Sequence, residues 1–567
     1  MSRKHFLFAG ALFLGLSAFS LRAQPRVFKT HAEEEAWLKT VKVTHWADPN
    51  TRPGTYEEYL RDLARAGLLP EGSFTARRVY RSPSPIYGSG VRYDVLVASN
   101  IYPYVKTRLN EYARDLEIEG WAVSVFACSG GTPPEVRRFL QKRYKDDHIV
   151  GCLLVGTLPV AWYEMDNDFF NRHSEFPTDL YYMDLNGAFG DKDRDGKFDS
   201  HTYTSAGDQR PDIFVGRLTA RPLAGSWGSE ASLVNNYFRK VHDYRRGALT
   251  APHRALAFQD DDWYRMRTHQ DYAWSNVVKV TDKRLTTAAN YRKRLLEGYE
   301  SVIVCSHSSP AVHTFKVPGS STTRIYNTQM WATNPPCLFY NLFACSNCRY
   351  TSRRYYGGVY IFVKTKGLIA VGTTKTGSML YFYDYYRSLG QNKTFGEAFR
   401  YWFARRYSTH YKGYSLGSRR WFYGMTLLGD PTLRIHRSYL KLSAGSIPPK
   451  GGKVTVGVSG GPDRGGDLYL VLTTLSGVKP GLVLPGVRVP LNYDACMETF
   501  VLLANTPAFF GAFGKLNGSG NGSAVLDLSC PLPKVFYGKS LYFSGLFLTP
   551  SGKLLGATQP KGVILGI

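Results

Sequence analysis

Between Tyr93 and Gly156 the chain alternates unbroken apolar runs with amphipathic ones: "YDVLVAS", "YVKTRLNEYARDLEIEG", "WAVSVFA", "PPEVRRFLQKRY" and "IVGCLLVG". No other feature restricts the fold as much. A run of roughly 4–8 apolar residues without polar alternation reads as a strand covered on both faces. Strands joined through helices run parallel, because a parallel neighbour is reached only by a long crossover. The chain therefore reads as α/β, with a mainly parallel sheet flanked by helices. Thr132 and Glu135 frame a capping box before the second helix, with Pro133 at its first position.

The pattern resumes with "RALAFQ", "NYRKRLLEG", "SVIVCSH", "CLFYNLFAC" and "GLIAVGTT", and helices are expected around 376–388 and 394–406. Past residue 438 the composition turns to Gly, Pro, Val and Leu in short runs such as "KVTVGVS" and "SLYFSGLFL". These predict a C-terminal β-sandwich over 439–567, immunoglobulin-like in size. A chain of 567 residues exceeds one core. The expected division is a leader over 1–23, an N-terminal segment over 24–88, an α/β domain over 89–438 and the sandwich. The N-terminal segment holds a helix around "TYEEYLRDLARAGLLP".

The opening "MSRKHFLFAGALFLGLSAFSLRAQP" sets Arg3 and Lys4 before an apolar stretch, Phe6 to Phe19, and a small-residue site at Ala23. That is the pattern of a secretory leader. No other run approaches the roughly 18 apolar residues of a membrane span. The expectation is an exported chain, secreted, periplasmic or at the cell surface, without a transmembrane segment once mature. Losing Arg3, Lys4 and Arg22 with the leader lowers the net charge from +26 to +23. Such a surface is either simply solvated or draws an anionic surface partner. Zinc-finger spacing, ribonucleoprotein-type aromatics and basic heptads are missing, which argues against nucleic acid.

Export makes the eight cysteines informative. Cys496 and Cys530, alone in the sandwich region, are expected to bridge. The run "NLFACSNCRY" (341–350) sets Cys345 and Cys348 three apart after an apolar stretch. A structural zinc wants a second paired cluster, and a thioredoxin-type pair opens a helix after an early strand, so both fit poorly. Reacting groups in open α/β sheets collect beyond the carboxyl ends of strands. Two such ends carry reactive side chains: "SVIVCSH" delivers His307 and "CLFYNLFAC" delivers Cys345. A thiol needs a nearby imidazole to become a thiolate near neutral pH. Taken singly, each side chain could equally be a packed core residue.

In "DKDRDGKFD", Asp191, Asp193, Asp195 and Asp199 fall on the first, third, fifth and ninth positions of a calcium-loop pattern, with Gly196 at the turn. The twelfth position is Thr202 instead of glutamate. The choice lies between a structural Ca2+ clamp and a solvated acidic turn.

Several of these runs resemble the gingipain-like family of cysteine peptidases, in the caspase-like clan. "ACSNCRY" is similar to the family's Ala-Cys-x-(Asn/Ser)-Gly-x-(Phe/Tyr) at Ala344, Cys345, Asn347 and Tyr350. "PDIFVGRL" (211–218) resembles its Asp-Ile-x-Val-Gly-Arg strand, and "LLGDPTLRI" (427–435) its closing Gly-Asp-Pro-(Ser/Thr)-Leu segment. The resemblance covers about 90–437 and implies a caspase-like sheet and peptide-bond hydrolysis. It implies Cys345 as nucleophile, His307 as general base and acid, and the backbone N–H groups of Ser308 and Cys345 as oxyanion donors. It implies an acid orienting the histidine, located after the preceding strand, where "ALAFQDDDWY" offers Asp260 first. It also implies a preference for Arg or Lys before the cleaved bond, with Asp262 and Asp271 as candidate pocket acids, and it allows calcium at the Asp loop. An exported peptidase has to be held inactive until release, so a prosegment is expected within 24–88. Two positions depart from the family. Ser306-His307-Ser308 stands for Gly-His-Gly, which removes glycine's access to positive φ and favours, as the alternative, a catalytically silent binding or adhesin module. Cys348 stands for glycine and would allow a Cys345–Cys348 bridge as a latch.

Overall fold

The computed structural model describes residues 28, 30–319, 321–407 and 412–567, so the expected leader lies outside the described residues. The alternating runs form one large sheet. Its strands are β1 (Thr75–Arg81), β2 (Val91–Ala98), β3 (Trp121–Ser129), β4 (Gly151–Val155), β5 (Phe214–Leu218), β6 (Ala255–Gln259), β7 (Val277–Val280), β8 (Ser301–Ser308), β9 (Val312–Lys316), β10 (Thr322–Tyr326), β11 (Phe339–Ala344), β12 (Ile369–Thr373) and β13 (Met425–Gly429). They lie in the order β1-β3-β2-β4-β5-β13-β12-β11-β8-β6-β7, and β9 and β10 extend from β8 as a hairpin. Only β1 with β3 and β12 with β13 are antiparallel along that path. Strands β8 and β11 are buried along their whole length, which is why both read as apolar runs with no polar alternation.

The Thr132 cap forms as expected: its N–H and hydroxyl both donate to Glu135 Oε2, at 2.8 and 3.0 Å. The helices expected at 376–388 and 394–406 are Phe382–Gly390 and Phe395–Ala404. The first begins late because residues 374–381 form a loop over the ends of β11 and β12, closed by Tyr381 at φ 53°. The crossover from β8 to β11 carries the β9–β10 hairpin as well as its helix, Asn327–Thr333.

The two other motifs pin the sheet. Arg217 of "VGRL" is buried and donates to Asp179 at 2.5 and 3.0 Å, with its guanidinium 4.3 Å from the Tyr350 ring. Asp430 of "GDPT" accepts from Tyr112 (2.7 Å), Arg245 (2.7 Å) and Thr432 (2.7 Å). A buried charge persists only where it is paired and hydrogen-bonded in this way.

In the N-terminal segment, α1 (His31–Thr40) and α2 (Tyr56–Arg65) are joined by an extended stretch. β1 falls inside the expected segment 24–88 yet is an edge strand of the main sheet. From Tyr439 the chain forms a four-stranded and a six-stranded sheet around a second core that includes Val456, Leu526, Tyr469 and Phe543. One pairing there, Ser446–Ile447 with Lys561–Leu565, is parallel. The expected Cys496–Cys530 bridge is absent, and both are free thiols. Cys496 sits on the helix Ala495–Leu502 with Sγ 3.8 Å from Thr473 Oγ1, on the six-stranded sheet. Cys530 is exposed just beyond Asn521–Leu528 of the four-stranded one.

Candidate active site

Parallel pairing of β8 with β11 sets Cys305 opposite Phe343 and Ser306 opposite Ala344. His307 and Cys345 are the next residues along, at the same level of two strands that lie about 4.8 Å apart. Their side chains leave the same face of the sheet, since register and alternation are shared. Trp263 packs beside both strands, with its ring 4.8 Å from His307 and 5.4 Å from Phe343.

The imidazole is held from both sides. His307 Nε2 lies 2.7 Å from Asp262 Oδ2, and Nδ1 accepts the N–H of His45 at 3.2 Å. An accepting Nδ1 puts the ring proton on Nε2, where it donates to Asp262. Asp262 also takes Lys316 Nζ at 2.6 Å. The hydrogen bond from His307, with that from Lys316, keeps its carboxyl well below the usual carboxylate range.

Asp260, expected to orient the ring, does not reach it. Its backbone N–H continues the β6–β8 ladder to Cys305 O at 3.0 Å. Its carboxylate accepts the amides of Asp262 (3.2 Å) and Lys316 (2.6 Å), and burial pushes its pKa up. It therefore caps the tight turn Asp261–Trp263 that carries Asp262 to the imidazole. The strand ends at Asp260, and the turn that follows decides which of three consecutive acids faces the ring. Asp271, the other candidate pocket acid, pairs with Arg267 at 3.0 Å.

Ser306 and Ser308 keep strand conformation, and β8 runs through Ser308. The Ser308 hydroxyl donates to the carbonyls of Ser309 (3.0 Å) and Val312 (2.9 Å), closing the turn into β9. The positions where the family has glycine thus need no positive φ here. The left-handed residue is instead Ser346, at φ 53°, held by its N–H to Lys375 O at 2.9 Å. A non-glycine residue in that region stores roughly 1–3 kcal/mol of strain and is typical of sites where one side chain must be presented.

Cys345 is fully buried, with Sγ 3.3 Å from Ser346 Oγ and 3.5 Å from Thr376 Oγ1. Burial pushes its thiol pKa up. Cys348 forms no bridge with it: both are free. The Cys348 sulfur fills the space above Gly357 and Gly372, where an added Cβ would meet it at 2.6 and 2.7 Å. Cys348 is a packing residue between strand and helix.

What closes the site is the stretch after α1. Trp263 Nε1 donates to Lys42 O at 2.8 Å, and Thr44 Oγ1 bonds both backbone groups of Gly377. The His45 ring stacks on His307 at 3.5 Å. Ser308 N–H donates to His45 O (3.3 Å), and Ala47 N–H donates to Ser308 O (3.0 Å). Burial, and secondarily His307 itself, pull the His45 pKa down to about 4. Upstream of Lys42 a cavity of about 590 Å3 opens among Trp37, Trp263, Tyr264, Met266, Tyr381 and Tyr383. None of this segment was legible as a site element, because most of its contacts engage backbone groups on one side or the other.

Of the acidic loop, Asp191, Asp193 and Asp195 bring carboxylate oxygens within 4.8 Å of one another. Asp199 meets Asp193 through a second carboxylate, Glu164, within the same limit. Sequence reasoning missed Glu164 because it arrives from a separate strand, Trp162–Met165. Lys197 Nζ already reaches Asp195 (2.6 Å) and Glu164 (2.8 Å), while Asp199 Oδ1 is a buried oxygen with no hydrogen-bond partner.

Residues 105–436, more than half of the chain, match the family described as peptidase family C25. No curated protein matches. Among solved structures, the dimeric latent PorU from Porphyromonas gingivalis is similar at 12% identity and a TM-score of 0.28. That alignment covers 84% of this chain and 43% of PorU, so the chain spans less than half of PorU's length. Among the described residues no helix is long and apolar enough to cross a membrane. With the family match running from within α3 (Tyr102–Ile118) to the segment after β13, the chain belongs to peptidase family C25, the gingipain family of cysteine peptidases.

Proposed function

We propose that this cysteine peptidase cuts polypeptides through Cys345 and His307, with Asp262 orienting the imidazole, and that residues 42–47 hold it latent. The observation that carries the reading is the His307 ring: Nε2 is tied to Asp262, Nδ1 meets the His45 amide, and the strand that bears the ring ends level with the one that delivers Cys345. In the working enzyme Nδ1 takes the Cys345 proton as sulfur attacks the substrate carbonyl carbon. The negative charge passes to the carbonyl oxygen, for which the Ser308 and Cys345 N–H groups are the donors. The tetrahedral adduct collapses as imidazolium Nδ1–H protonates the amide nitrogen and the C–N bond breaks. Water, deprotonated at Nδ1, then splits the thioester and returns the proton to sulfur. Asp262 stabilises the imidazolium through its charge.

Latency follows from occupancy. The His45 amide sits on Nδ1, the His45 carbonyl on the Ser308 N–H, and the segment leaves the thiol buried. Export through the leader, and attraction of an anionic partner by the net charge of +23 left after its removal, belong to the same reading. So does a structural calcium ion, for which oxygen-only donors are suited, with Asp199 Oδ1 accepting no hydrogen bond and facing Lys192 Nζ at 4.0 Å. Asp191, Asp193, Asp195, Asp199 and Glu164 would hold it, and its charge would stabilise the acidic loop.

The test is a peptide library incubated with wild type and Cys345→Ala under reducing conditions with calcium. Slow cleavage by wild type, limited by the opening of residues 42–47, and none by the variant is expected. Equal cleavage by both would end the reading. A silent binding module would cleave nothing at all.

A further inference from the structure

One side chain of residues 42–47 bonds the loop that flanks Cys345, and it belongs to Thr44. It is fully buried, donates to Gly377 O at 3.0 Å and accepts from Gly377 N at 3.3 Å. Gly377 follows Thr376, whose hydroxyl is 3.5 Å from Cys345 Sγ. The next residue, His45, has its amide nitrogen 3.2 Å from His307 Nδ1. A leaving amine must stand there to receive its proton. By that placement Thr44 lies on the acyl side and His45 on the leaving side.

The oxyanion donor is not aligned with the same bond. Ser308 N–H holds the carbonyl of His45, one residue further on. Cleavage requires the carbonyl and the nitrogen of a single peptide bond at these two places. Here they are the nitrogen and the oxygen of one residue, which belong to two different peptide bonds. The segment therefore rests on the dyad out of register, which accounts for its sitting there uncut.

The groups that hold the Thr44 side chain are uncharged, both being backbone atoms of Gly377. Gly377 has φ +114°, and a Cβ on it would come within 2.7 Å of Trp421 O, so this wall can carry no side chain. The charges acting on the Cys345 sulfur are Lys375 and Asp168, buried and bonded to each other at 2.8 Å. Asp262 is committed to His307 and Lys316, and Asp271 to Arg267. A lysine or arginine in place of Thr44 would bury a charge against carboxylates that are already taken, which is strongly unfavourable.

We propose that the recess filled by Thr44 is the specificity pocket, and that it selects a small uncharged side chain, such as Thr, Ser or Val, directly before the cleaved bond. This departs from the basic preference implied by the family resemblance. It rests on the dyad and on the inhibitory role of residues 42–47.

The experiment uses full-length Thr44→Ser and Thr44→Lys beside wild type. Iodoacetamide labelling of Cys345, read by mass spectrometry, reports release of the segment. A mixed peptide library reports the bonds cut. Thr44→Lys is expected to label roughly tenfold faster or more than wild type and to cut after Thr, Ser or Val. Thr44→Ser, which keeps the hydroxyl, is expected to remain the slower of the two variants. Labelling of Thr44→Lys no faster than wild type, or cleavage after Arg or Lys, overturns the pocket assignment and leaves the peptidase reading intact. Fast labelling without cleavage of any peptide removes the peptidase reading, and the assignment with it. If Thr44→Lys does not fold, Thr44→Gly, which removes the anchor without adding charge, supplies the same labelling and library readouts.

Discussion

Asp262→Asn and Asp260→Asn separate two neighbouring carboxylates that stand two residues apart and do different work. Asp262 accepts the Nε2–H of His307 at 2.7 Å in a largely buried setting. A hydrogen bond to a charged group is worth about 1.5–3 kcal/mol against about 0.5–1.5 kcal/mol for a neutral one. At about 1.4 kcal/mol per decade, the difference of about 1–1.5 kcal/mol slows turnover roughly 5- to 13-fold. Asparagine can still accept from Nε2, so the tautomer survives. What disappears is the charge that stabilises the imidazolium formed when Nδ1 takes the thiol proton. Lys316, whose side chain is 40% exposed, turns to solvent at little cost. Asp260→Asn behaves differently, because each carboxylate oxygen serves one backbone amide, Asp262 N and Lys316 N. Asparagine has one acceptor oxygen, so one buried N–H loses its partner at a cost of about 1–3 kcal/mol in stability. The assay is turnover on a cleaved library peptide together with thermal melting of both variants. Asp262→Asn should lose mainly turnover and Asp260→Asn mainly stability. A larger loss of turnover in Asp260→Asn, or wild-type turnover in Asp262→Asn, would refute the assignment of Asp262.

Four further outcomes are expected. The His45 pKa is lowered from 6.5 to about 4 in the closed state, so that state binds fewer protons than the open one. Closure is therefore complete above pH 6.5 and weakens as pH falls toward 4. Hydrogen exchange of residues 42–47, corrected for intrinsic rates, should lose protection between pH 7 and pH 5, and His45→Phe should flatten that dependence. Chelation should lower the melting temperature of the native chain and calcium restore it, with Asp193→Asn blunting both effects; melting indifferent to both would remove calcium from the acidic loop. Without reductant, the denatured chain should take up alkylating agent at all eight cysteines; fewer adducts would mean bridges. Cys348→Ala should keep turnover while costing about 1–3 kcal/mol of stability through the hole left between Gly357 and Gly372.

The parallel sheet was legible because burial on both faces writes itself as apolar runs, and the runs ending at His307 and Ala344 sit next to each other, as their side chains suggested. Asp260 was the reasonable choice among three acids, since a strand end is visible in sequence and the turn after it is not. The glycines missing around His307 posed a difficulty only until the backbone was known, because Ser306 and Ser308 lie in a strand. Cys348 had no account as a partner for Cys345 and acquires one as filling between two glycines.

By itself, then, the sequence determined the elements, their parallel stacking, and the two reactive residues at strand ends, because these follow from local periodicity and from covalent order. Tertiary structure decided which acid meets the imidazole, that Glu164 joins the acidic loop, and that residues 42–47 lie across the cleft. Each of these is a contact between segments far apart in the chain, and the last is made largely through backbone groups that every residue carries. Identity at a single position leaves such contacts unmarked.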